Sequence, residues 1–128
     1  MYKRGTQMKD NTSRYDIQGL ADELEADISD IAVLFLNYIG EMKEEVGSIQ
    51  DFLSKKDWNM LQRVVHNIKG VSANLHIDDV YKAAAEFDAD LKHQKTQRAE
   101  DHAKRLTGLL KGAEDEIRKF FSECGFSI

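Results

Sequence analysis

His66, Lys69 and Gly70 fall within about one helical turn of each other, in the run His66-Asn67-Ile68-Lys69-Gly70-Val71-Ser72-Ala73-Asn74-Leu75. At roughly 100° per residue, a helix would put His66, Lys69, Gly70 and Ala73 on one side and Leu61, Val65, Ile68, Ser72 and Leu75 on another. The spacing therefore predicts an outward imidazole above a packed seam. The chemistry it suits is phosphoryl carriage. An imidazole with an ordinary pKa of about 6.5 is largely unprotonated near neutrality and is then a good nucleophile. Lys69 supplies a mobile point charge for a group that arrives and leaves. Glycine inside a helix costs roughly 1 kcal/mol against alanine, so Gly70 reads as missing bulk that lets another protein approach. A lone histidine on a helix is usually an ordinary surface residue, and only the constellation is specific.

Composition removes several rivals. The 128 residues predict one domain, large enough for a core and too small for a kinase with its own nucleotide site. A net charge of −5, with basic and acidic residues interspersed, leaves no nucleic-acid footprint. No run approaches the ~18 apolar residues of a membrane span, and no signal peptide is visible, so a cytoplasmic location is expected. The single Cys124 cannot form an internal disulfide and reads as a small apolar residue on a late helix.

No metal site is expected. Only Asp90-x-x-His93 approaches one of the Glu-x-x-His units of a di-iron bundle, and there is neither a His-Glu-x-x-His nor a cysteine pair. His76, His93 and His102 read as surface residues. No Gly-x-Ser-x-Gly elbow and no phosphate-cradling glycine loop is present, so neither a hydrolase nor ATP binding is indicated.

The absence of proline favours long helices. Residues 1–12 read as a flexible tail and 13–128 as the domain. Ser13-x-x-Asp16 resembles a capping box ahead of a short helix bearing Ile17, Leu20 and Leu24. Ile28, Ile31, Phe35, Tyr38 or Ile39, Met42, Val46, Ile49 and Leu53 then recur at steps of three and four, over about seven turns. Asp57 is the expected N-cap of the helix carrying His66, and Asp78 that of the next, whose stripe is Val80, Ala84, Phe87 and Leu91. A last helix from Gln97 runs to Gly125 as its C′ residue. Four long helices with short links predict an all-α, antiparallel up-down-up-down four-helix bundle with a short additional N-terminal helix.

His66, Lys69, Gly70, Ser72, Ala73 and Leu75 closely resemble the signature of histidine-containing phosphotransfer (HPt) domains, with the likeness running from about Asp16 to Cys124. His76 departs from it, since the family commonly has glycine there. The resemblance implies a carrier, not an enzyme, that takes a phosphoryl group on His66 from an aspartate of a receiver domain and gives it to another. Lys69 would stabilise phosphoryl charge and Gly70 would give access. The family usually has a polar residue near Asp88 that accepts a hydrogen from one imidazole nitrogen. Asp88 would take that role, although its short side chain puts direct contact in question. Lys92, one turn on, would add positive charge.

No cofactor is expected, and any Mg²⁺ would belong to the receiver, because His66 and Lys69 offer no carboxylate cage. The side around His66, with Gln62, Lys69, Gly70 and Ala73, should form the partner surface, with apolar help from Ile17 and Leu20 if the first helix lies nearby. A monomer is the simplest state for a site that must admit a partner. The rival readings are a non-catalytic helical adaptor that docks a receiver or kinase, and the histidine-bearing domain of a larger sensor or chemotaxis kinase.

Overall fold

A computed structural model describes residues 14–127, which form five helices: α1 (Ile17–Glu23), α2 (Ile28–Lys55), α3 (Trp58–Asn74), α4 (Asp78–Lys92) and α5 (Ala99–Glu123). The tail expected over 1–12, and Ser13 of the expected capping box, lie outside the described residues. Asp16 itself caps α1, its carboxylate accepting from the Gly19 amide at 2.9 Å. Asp57 caps α3 through the Met60 amide at 3.2 Å, so the start of the histidine-bearing helix is set by a side chain that satisfies an otherwise orphaned donor. Asp78 is not a cap. Ile77 holds that position because its fully buried side chain anchors the turn, and Asp78 and Asp79 occupy the first helical turn, where negative charge suits the dipole. Likewise α5 starts at the buried Ala99, two residues after the expected Gln97.

With no proline to stop them, the helices end by a common backbone device. Glu25, Lys56, His76, Gln94 and Gly125 each adopt positive φ, and the following amide bonds back to the last turn: Ala26 to Ala21 O, Asp57 to Phe52 O, Ile77 to Ser72 O, Lys95 to Asp90 O and Phe126 to Phe121 O, at 2.8–3.0 Å. These are Schellman closures, and only the last uses glycine. A Cβ in the left-handed region is strained by roughly 1–2 kcal/mol. His76→Gly is therefore expected to stabilise the chain by about 0.5–1 kcal/mol after glycine's larger unfolded-state entropy is counted, read as a higher denaturation midpoint. The exposed His76–Glu23 ion pair at 3.6 Å offers little to lose.

Helix α3 packs against both α2 and α4, and α5 against both α4 and α2. The seam is the apolar stripe of each helix: Phe35 and Ile49 of α2, Leu61, Val65 and Ile68 of α3, Val80 and Phe87 of α4, Leu106, Ile117 and Phe121 of α5 are all completely buried. Phe35 meets Phe121 at a ring separation of 5.8 Å, and Lys43 pairs with Glu114 at 3.3 Å. Ser72, the polar member of the α3 seam, shares a buried 2.8 Å hydrogen bond with Tyr38, whose hydroxyl is pushed up to about 12, chiefly by burial.

Three other expectations change. Ile17 and Leu20 are 1% and 4% exposed, because the short α1 turns its apolar residues onto the core beside α2 and not toward a partner. His102 is buried: its ring stacks on Phe87 at 5.0 Å and Nε2 donates to the Asp90 carboxylate at 2.8 Å. Cys124 sits at the C-cap of α5 and is exposed.

Candidate functional site

Capping by Asp57 and burial of Leu61, Val65 and Ile68 fix the rotation of α3, which leaves Gln62, His66, Lys69, Gly70 and Ala73 on the other side. The His66 side chain is 57% exposed. Across from it, the C-terminal half of α4 carries Asp88, whose carboxylate is only 2% exposed. Asp88 is thus not part of the solvated face of α4. Direct contact with the imidazole does occur, at 3.2 Å between His66 Nδ1 and Asp88 Oδ2. The reach is short enough because the buried face of α4 has alanine at 83 and 84, which adds little thickness between helices.

Asp88 is the hub of the site. Gln62 Nε2 donates to Oδ1 at 2.7 Å, Lys69 Nζ and His66 Nδ1 converge on Oδ2, the former at 2.9 Å, and Lys92 Nζ lies 3.7 Å from the same oxygen. Burial alone would raise the carboxyl, but the hydrogen bonds from Gln62, Lys69 and His66, together with the Lys69 charge, outweigh it and hold the group at about 2. Asp88 is thus an anion throughout the physiological range and can only accept. In the neutral ring an anionic acceptor selects the tautomer with the shared proton on His66 Nδ1, which leaves the lone pair on Nε2. Chemically, the arrangement orients the imidazole as a nucleophile beside a buried negative charge that would offset positive charge appearing on the ring.

Lys69 reaches across to α4. Its side chain is 26% exposed, folded onto Asp88 instead of projecting toward solvent. Gln62 was expected only as surface, and its bond to Asp88 is the contact that sequence reasoning missed. The available signal was spacing: positions 62, 66 and 69 share one helical face. Beyond them lies a polar hollow of about 540 Å³ lined by Trp58, Asn59, Gln62, Leu91, Lys92, Gln94 and Thr96. On the other flank Asn67 donates to Glu41 and Glu45 of α2 at 2.8 and 2.7 Å.

A Cβ added to Gly70 would meet nothing within 4 Å. Nothing among the described residues demands glycine there. Gly70→Ala is accordingly expected to raise stability by about 1 kcal/mol, seen in chemical denaturation, because it removes glycine's helix penalty. Gly70→Gln should fold as well and lose affinity for a docking partner, which titration against that partner would measure.

An exposed imidazole held by a buried acid on a neighbouring helix, with every described element a helix, defines a helical histidine module. Comparison with protein-family models identifies which: the Hpt domain model matches residues 33–119, well over half of the chain and the whole of α3 and α4. The chain belongs to the Hpt domain family. Hpt domains are phosphocarrier modules of phosphorelays that work with the receiver domains of response regulators. Neither the curated proteins nor the solved structures provide a match.

Proposed function

We propose that His66 accepts a phosphoryl group on Nε2 from the aspartyl phosphate of a receiver domain and passes it to the aspartate of another. In the uptake step the Nε2 lone pair forms the N–P bond as the P–O bond to the receiver's carboxylate breaks. The electron pair leaves on that carboxylate. The ring becomes positively charged, keeps its Nδ1 proton, and is stabilised by the ionised Asp88. The single observation that carries this reading is the contact of His66 Nδ1 with a carboxylate that remains ionised.

Lys69 has a flexible four-carbon stem, so its Nζ can leave Asp88 for the oxygens of the arriving group, with Lys92 remaining near the carboxylate. Catalytic Mg²⁺ is assigned to the receiver. The scaffold in this reading is an antiparallel up-down-up-down bundle, supported by the Phe35–Phe121 and Lys43–Glu114 contacts between α2 and α5. We place the partner on the surface around His66, Gly70 and Ala73. Its apolar part is Leu34, 43% exposed and in helical line with Glu41 and Glu45, in place of the buried Ile17 and Leu20. Such a docking contact is small and transient, as a carrier that must release its partner requires. No described helix is long and apolar enough to cross a membrane, and the chain is proposed to act as a cytoplasmic monomer.

Incubation with a receiver carrying labelled aspartyl phosphate tests the proposal. Label that moves to the chain and is lost in acid is expected. A chain that takes up no label from any receiver, or takes it up in acid-stable form, would contradict it.

A further inference from the structure

We infer that Gln62 is a positioning residue for phosphoryl uptake, holding Asp88 so that one carboxylate oxygen is presented to His66 and Lys69 together. The inference rests on the phosphoacceptor reading of His66. An aspartate's terminal torsion is broad, so burial alone does not decide which oxygen faces which donor. Here the two oxygens are divided: Oδ1 receives Gln62 Nε2 at 2.7 Å, while Oδ2 receives His66 Nδ1 at 3.2 Å and Lys69 Nζ at 2.9 Å. Gln62 makes the shortest of these contacts. It also lies one turn before His66 on the same helix, so its amide and the imidazole reach across to α4 from one rigid frame.

The consequence is a tautomer lock. With Oδ1 pinned, Oδ2 keeps the proton on Nδ1 and Nε2 stays nucleophilic. Without the Gln62 donor, the carboxylate is free to turn its oxygens toward Lys69 and Lys92, and His66 loses the acceptor that selects its tautomer. Gln62 also borders the polar hollow beyond the site and is only partly buried, so changing it need not disturb the apolar seam.

The test follows the ¹⁵N shifts of the His66 ring at alkaline pH, together with phosphorylation by phosphoramidate, a donor that needs no receiver. In that reaction the P–N bond of the donor breaks, ammonia leaves and the Nε2–P bond forms. In the unaltered chain the Nδ1–H form should dominate. Gln62→Met, similar in length but without a donor, should raise the Nε2–H form and slow phosphorylation about 3- to 10-fold, the effect of one lost hydrogen bond. Gln62→Lys, which restores a donor of similar reach, should recover the tautomer and bring the rate back to within about twofold. A glutamine with only a structural role would not be rescued in this way.

Unchanged tautomer and rate in Gln62→Met, with His66→Gln taking up nothing, would overturn the positioning role and leave the phosphoacceptor reading standing. Labelling of His66→Gln at the unaltered rate would overturn both. Should Gln62→Met fail to fold, Gln62→Ala gives the same two readouts.

Discussion

His66→Gln is expected to abolish phosphoryl uptake, with a fall of at least about 10³-fold, while leaving the fold in place. The amide of glutamine has no basic lone pair, so no N–P bond can form. Its other properties are close to those of the imidazole: it is polar, of similar reach, and able to donate to Asp88. The side chain it replaces is 57% exposed and packs no core surface, so the change in stability should stay within about 0.5 kcal/mol. Uptake from a phosphorylated receiver and thermal melting, measured on one preparation, separate these two outcomes. Loss of both together would point to a structural histidine.

Asp88→Asn carries the second large effect, and it should change rate, stability and acid sensitivity together. The substitution is nearly isosteric but removes the charge on which Gln62, Lys69, His66 and Lys92 converge. Hydrogen bonds to a charged group are worth about 1.5–3 kcal/mol, so uptake should fall about 10- to 100-fold as the tautomer and ring charge lose their support. Stability should drop by about 1–3 kcal/mol, because Lys69 and Lys92 are left facing each other without the anion between them.

The pH dependence has a definite sign. The Asp88 carboxyl is depressed in the folded chain from 3.8 to about 2, so the unfolded state binds protons first as acid is added. The stabilisation is complete above about pH 4 and is lost as pH falls through about 2. Acid denaturation of the unaltered chain should therefore steepen across that window, and in Asp88→Asn this component should be missing. Equal slopes for the two proteins would show that the carboxylate is not held as described.

Parts of this site were legible in sequence because they depend on one helix. His66, Lys69 and Gly70 are related by the period of α3, and a cap at Asp57 with an apolar stripe through Leu61, Val65 and Ile68 fixes which way they face. The contact between Asp88 and His66 depends instead on the distance between two helices. That distance is set by the side chains between them, so the short reach of aspartate looked insufficient from sequence alone. Gln62 was invisible for the same reason: its face could be read, but not the oxygen it would meet. The burial of Ile17 and Leu20 followed from where α1 docks, which periodicity does not address. The left-handed closure after α5 was legible because Gly125 advertises it. Glu25, Lys56 and Gln94 reach positive φ with no such mark.

The central claim is that a buried, ionised Asp88 makes one particular nitrogen of His66 the phosphoryl carrier. Its most direct test is ³¹P–¹⁵N coupling in the phosphorylated chain with ¹⁵N-labelled histidine. Phosphorus bonded to Nε2 of His66, with Nδ1 still protonated, is the predicted result. Phosphorus on Nδ1, or on any residue other than His66, would contradict it.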